Sequence, residues 1–187
     1  MVLWVIIIAA SVVIDQLTKY VISHAYEIGE SHILINGVLN FTYIRNEGAA
    51  WGMFSNSRWV FIAITAVMLV ILPILLFKYR KLHFLFGFSL SLIIGGAIGN
   101  MIDRVFQGSV VDFIQAAFID FPVFNFADCC VTVGAALMFI YLVFIDKTLF
   151  HSKKDEENKS VNETDGTEKT GEENTEVKNE DNGDTQC

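Results

Sequence analysis

The chain has 187 residues, 53% of them hydrophobic, with a mean hydropathy of +0.47, a composition unusual for a soluble domain. Its net charge of −8 sits almost wholly in residues 152–187, where twelve acidic side chains face five lysines, so the first 151 residues carry only −1. No basic patch with interleaved aromatics is present, which argues against a nucleic-acid partner, and Cys129, Cys130 and Cys187 are too few for a disulfide framework and lack metal-ligand spacing.

Four apolar runs are long enough for a bilayer-spanning helix, which takes about 20 residues. They cover residues 2–23, 59–77, 82–102 and 126–145. The first is not read as a cleaved signal peptide: no basic segment precedes it, and "DQLTK" stands where a small-residue cleavage site belongs. Pro73 marks an expected kink near the end of the second run. Lys78, Arg80 and Lys81 in the second connection, and Lys147, Lys153 and Lys154 after the fourth run, place those segments in the cytoplasm by the positive-inside bias. Both termini are then cytoplasmic, and connections 24–58 and 103–125 face outward.

These outer connections carry structure of their own. "HILINGVLNFTYIR" holds Asn36-Gly37 between strand-like runs, a type I′ hairpin signal, and "GSVVDFI" reads as a further strand. The expected fold is therefore an all-α polytopic membrane protein with four transmembrane helices and a small extracytoplasmic β-sheet. Because a lone hairpin is barely stable in water, the sheet's apolar face is expected on the membrane interface or over a groove. The acidic tail, 151–187, lacks aromatics and cannot bury a core. It is expected to be a disordered cytoplasmic extension of a membrane-embedded domain spanning 1–150.

Ionisable residues within spans point to function by default, because each is costly in hydrocarbon. Asp15 lies thirteen residues into the first run, Asn100 and Asp103 end the third, Asp128 begins the fourth, and Asp112 sits in the outer connection. Although chain direction alternates, these groups converge on one depth near the outer surface. Simpler roles compete for several of them. Asp15 and Lys19, four apart on one helix face, can pair. Asp103-Arg104 reads as an interfacial ion pair, Gly95 and Gly99 as a small-residue packing face, and Asn125 as the N-cap of the last helix. Asp120 follows the same spacing of eight as Asp112 and Asp128 but has no polar companion, and reads as a solvated loop carboxylate. Asp112 and Asp128 are each embedded in apolar sequence. Brought together, they would share one proton, the state needed to polarise a carbonyl while deprotonating water. Asp103 with Asp128 is the competing pair. No Ser or Cys has a His at nucleophile spacing, and the scattered histidines suggest no metal.

The motifs "DQLTK", "RNEGAAWGMF", "GGAIGNMIDR", "GSVVDF" and "FNFAD" occur in the order found in bacterial lipoprotein signal peptidases, or signal peptidase II, and the chain resembles that family over residues 1–150. Trp51 departs from the phenylalanine more usual after "GAA", and the acidic tail is atypical. The resemblance implies a cofactor-free aspartic endopeptidase of the bacterial cytoplasmic membrane, with its site near the extracytoplasmic face. Its partners would be membrane lipids and prolipoprotein substrates, cut N-terminal to a cysteine bearing diacylglycerol. It implies Asp112 and Asp128 as the catalytic pair, with Asp15, Lys19, Asn46, Gly48, Asn100, Asp103, Arg104 and Asn125 in supporting or substrate-binding positions. It also implies an outer β-cradle. Nothing in the sequence demands more than a monomer. A proton-linked carrier is the alternative class, but a carrier's polar groups should reach both faces of the bilayer.

Overall fold

A computed structural model describes residues 1–48, 57–79 and 83–146. The chain divides into two units, Met1–Val143 and Phe144–Cys187, and only residues 144–146 of the second are described. Trp51, the basic residues Arg80, Lys81, Lys147, Lys153 and Lys154, and the acidic tail lie outside the described residues.

Each apolar run becomes a helix. The helices are α1 (Val2–Ala25), α2 (Arg58–Lys78), α3 (Phe84–Phe106) and α4 (Phe126–Ile140), the last followed by a π-helical turn, Tyr141–Ile145. All four segments are long and apolar enough to cross a membrane. Their ends differ from the hydropathy bounds for local reasons. α3 starts at Phe84 because the His83 side chain caps it, accepting a hydrogen bond from Leu85 N (3.2 Å). It then runs past the apolar stretch through Asp103 and Arg104, whose side chains find partners described below. α2 passes through Pro73 as one element.

α3 packs against each of the other three helices, and its small residues explain how. Gly95 and Gly99 face α1: a methyl group on Gly95 would stand 2.7 Å from Ser11 Cβ, and one on Gly99 would collide with the Asp15 carboxylate. On the α4 side, a methyl at Gly96 would collide with Ala127 O. Leu72, Leu76, Leu90 and Ile94 form one apolar cluster, joined by Trp4 and Ile8 of α1. By contrast, Leu3, Val13 and Leu17 of α1, and Val60, Ile64 and Val67 of α2, are left exposed. Such apolar outer faces suit a hydrocarbon surround.

Three antiparallel strands, β1 (Ser31–Ile35), β2 (Leu39–Asn46) and β3 (Val110–Ala116), form a sheet in that order. The Asn36-Gly37 turn closes the hairpin, with Val38 N donating to Ile35 O and Gly37 at φ 72°. A shift in pairing between Ile33 and Ile35 makes the connection irregular. Tyr43, Val111 and Phe113 pack on Ile22 of α1, so this face of the sheet is anchored on the helix end. Strand residues alternate between faces. Asn46 and Asp112 therefore point away from Arg45 and Val111, and the sheet presents two different surfaces.

Candidate active site

Asp112 and Asp128 are brought together through Asn125. As the N-cap of α4, Asn125 accepts from Asp128 N through Oδ1 (3.0 Å), while its own backbone N–H donates to Asp128 Oδ2 (3.1 Å). Capping fixes the amide's orientation, so Nδ2 is left to donate to Asp112 Oδ1 (2.6 Å) and Asn100 Oδ1 (3.0 Å). The helix cap and the link between the two carboxylates are thus one side chain, which is fully buried. Asn46 Nδ2 donates to Asp112 Oδ2 (2.8 Å), and Asn100 Nδ2 donates to Asp128 Oδ1 (2.8 Å). Every oxygen of both carboxylates therefore receives one hydrogen bond from a neutral donor and keeps acceptor capacity for a further ligand.

Asp112 is only 2% exposed. Burial pushes its carboxyl up to about 6; hydrogen bonds from Asn46 and Asn125 offset part of the rise, and the nearby Asp128 charge adds to it. Both carboxylates open onto a cavity of about 490 Å³, walled also by Phe61, Phe121 and Phe124. Arg104 lines it too, with its guanidinium over the Phe61 ring (5.1 Å) and long contacts to Asn100 O (3.4 Å) and Gly48 O (3.5 Å). Gly48 N in turn donates to Asn46 Oδ1 (3.0 Å), which orients the Asn46 amide toward Asp112.

Behind the pair lies a second, fully buried cluster. Lys19 Nζ bridges Asp15 Oδ2 and Asp103 Oδ2, each at 2.9 Å, and donates to Asn100 Oδ1 (2.8 Å). The Asp15–Lys19 pairing expected from spacing is present. The pairing of Asp103 with Arg104 is not: neighbours on a helix point in different directions, and Asp103 turns inward to Lys19 while Arg104 faces the cavity. Two carboxyl groups share one ammonium, and further oxygens are met by neutral donors. Ala127 N donates to Asp15 Oδ1 (3.0 Å), and Val111 N donates to Asp103 Oδ2 (3.3 Å). Each backbone donor belongs to the residue just before a site aspartate, Asp128 or Asp112. The buried cluster therefore sets the position of both chain segments.

Sequence reasoning missed Gln16. Its Nε2 donates to Asp15 Oδ2 (3.1 Å), Gly99 O (3.2 Å) and Asp103 Oδ1 (3.2 Å), stitching α1 to α3. Its place inside "DQLTK" was the available signal, obscured because a glutamine beside an aspartate usually faces solvent. Asp120 is exposed in the 117–123 segment and makes none of these hydrogen bonds. Gly99 is the tightest steric element of the cluster. Gly99→Ala is expected to cost about 1–3 kcal/mol through overpacking and to lower turnover by displacing Asp15, which thermal unfolding and activity measured on one preparation would check.

A sequence model described as Signal peptidase (SPase) II matches residues 7–144. The chain is 44% identical over 145 residues to the Lipoprotein signal peptidase of Brevibacillus brevis, covering 77% of this chain and 97% of that one. It is also 44% identical over 143 residues to the Lipoprotein signal peptidase of Listeria monocytogenes serotype 4b, covering 75% and 92% respectively. Two solved bacterial membrane enzymes superpose with TM-scores of 0.73 and 0.72 at 38% and 39% identity. They cover 79% and 78% of this chain, and 90% and 95% of their own.

Proposed function

The chain belongs to the signal peptidase II family of membrane aspartic peptidases, and from that premise we propose that it cuts prolipoproteins N-terminal to a diacylglyceryl-modified cysteine, using Asp112 and Asp128 as a water-activating pair. The observation that carries this reading is the Asn125 side chain, which holds Asp112 through its amide and caps the helix turn that carries Asp128. The pair holds one proton. Asp112, the more buried partner, keeps it and donates to the carbonyl oxygen of the residue before the cysteine. Asp128 accepts a proton from the attacking water. The tetrahedral intermediate then collapses as the leaving nitrogen is protonated, and no covalent enzyme intermediate forms.

In this reading the remaining residues take supporting roles. Asn46, Asn100 and Arg104 line or border the cavity and are candidates for holding substrate backbone or lipid headgroup. Asp15, Lys19, Asp103 and Asn125 orient the pair. The aromatic wall of the cavity suits an apolar substrate segment, and acyl chains retained in the bilayer would hold the scissile bond at the sheet end of the helices. In this reading residues 1–150 form the peptidase, acting as a monomer in the bacterial cytoplasmic membrane. The termini are cytoplasmic and the sheet faces the extracytoplasmic side.

The direct test is incubation of the purified full chain with a diacylglyceryl-modified precursor and mass analysis of the products. A product beginning at the lipidated cysteine is expected; cleavage elsewhere, or of unmodified precursor at equal rate, would sink the proposal. The pH dependence follows from Asp112. Its carboxyl is protonated below about pH 6 and ionised above it, so kcat/KM should fall about tenfold per pH unit on the alkaline side. A profile flat to pH 8 would remove Asp112 as the proton donor.

A further inference from the structure

A second cavity, of about 710 Å³, lies on the other surface of the sheet, along α1. Val13, Leu17 and Tyr20 of its lining are exposed, Gln16 and Lys19 lie among them with their polar ends bonded to Asp15 and Asp103, and Ser23, His24, Arg45 and Gln107 gather at the sheet end. At ~1.5 Å per helical residue, Val13 and His24 stand roughly 16 Å apart along the axis. The exposed apolar groups thus lie within a segment long and apolar enough to span a membrane, and Arg45 lies at the sheet end.

Arg45 is the decisive residue. Its guanidinium is held in place by neutral acceptors: Nε donates to the Tyr43 hydroxyl (2.8 Å), and Nη1 donates to Gln107 Oε1. No carboxylate pairs with it among the described residues. An arginine oriented by neutral partners, with its charge uncompensated, is suited to a phosphate oxygen. His24 adds a second polar group at that level; its Nδ1 meets Tyr20 O at 2.8 Å. Lys19 of the lining is engaged by Asp15 and Asp103, which are fully buried and also accept from backbone donors.

We propose that this groove binds an anionic phospholipid of the sheet-side leaflet, its phosphate on Arg45 and one acyl chain along Leu17 and Val13. The Arg45 guanidinium at the mouth and the exposed Val13, Leu17 and Tyr20 along α1 follow the order of groups along such a lipid, while Gln16 and Lys19 in the same lining are spent on Asp15, Asp103 and Asn100. Val111 and Asp112 are consecutive in β3 and face opposite surfaces, so an occupied groove braces the strand that carries the active-site carboxylate without entering the catalytic cavity.

Native mass spectrometry of the full chain released from detergent micelles tests this, with dioleoyl phosphatidylglycerol as the probe. Phosphatidylglycerol should be retained at least about tenfold more tightly than dioleoylglycerol or inorganic phosphate, since neither supplies both halves of the contact. Arg45→Gln should weaken retention by about tenfold and Leu17→Asn by less, while Arg45→Lys keeps part of the affinity. Cleavage of precursor in lipid-free micelles reports that each variant is folded. Parental affinity in folded Arg45→Gln, or equal retention of dioleoylglycerol, would overturn the proposal. So would stoichiometric displacement of the lipid by an apolar signal-segment peptide, which would make the groove a peptide site.

Discussion

Asp112→Asn and Asp128→Asn are each expected to lower kcat/KM on a lipid-modified precursor by about three orders of magnitude or more, the scale of losing one partner of a general acid–base pair. The two variants differ in stability. In the unfolded chain the Asp112 carboxyl titrates near 3.8, and in the folded protein near 6. The folded state therefore holds the extra proton between those values, and stability falls as pH rises through the window. Above it, ionised Asp112 costs on the order of 3 kcal/mol. The substituted carboxamide would escape that cost but would set its own NH2 group against one of the two donors, Asn46 or Asn125, giving back ~1–2 kcal/mol of the gain. Asp112→Asn should thus be inactive yet no less stable than the parent at neutral pH, and should lose its relative advantage toward pH 4. Asp103→Asn separates the competing assignment. It removes a partner of Lys19, so activity should fall together with thermal stability rather than vanish in a stable protein. Full activity in folded Asp112→Asn would end the assignment of the pair.

Much of this site is legible in the sequence because membrane burial makes polar residues conspicuous. Asp15, Asn100, Asp103 and Asp128 stand out against apolar neighbours, and helix length alone brings them to one level. The hairpin is legible through Asn36-Gly37, and β3 through its β-branched run. What periodicity does not reveal is direction within that level. Asp103 and Arg104 look like partners in the chain, yet a step of one residue on a helix sends them to different neighbours. Asn125 has a local signature, an N-cap, that conceals its second bond to a strand thirteen residues away in sequence. Gln16 is invisible for the same reason: its acceptors on α3 are long-range, and no local pattern encodes them. Gly99 reads as packing, and it is packing, but what it packs against is a carboxylate of the buried cluster.

Lys19→Met should be the most destabilising single change in the buried cluster. The ammonium is 2% exposed and touches both Asp15 and Asp103 at 2.9 Å, so its removal leaves two buried carboxylates facing each other without a cation. Breaking a buried pair in this way costs about 3–5 kcal/mol, far more than the pair contributes against an apolar replacement of both partners. The damage should reach the reacting groups by a defined route. Asp15 holds Ala127 N and Asp103 holds Val111 N, while Lys19 itself fixes the Asn100 amide that donates to Asp128. Loss of the lysine thus loosens the segments carrying both aspartates and leaves Asn100 Oδ1 held by Asn125 alone. The expected signature is a large fall in kcat with KM nearly constant, and a displaced alkaline limb in the pH profile, beside a lowered unfolding temperature. Combining Lys19→Met with Asp103→Asn removes one of the two stranded charges and leaves an acceptor for Val111 N. It should recover part of the stability but little of the turnover, because Asn100 Oδ1 still lacks its lysine donor. Restored turnover in the double variant would show that Lys19 acts only by neutralising charge and does not position the pair.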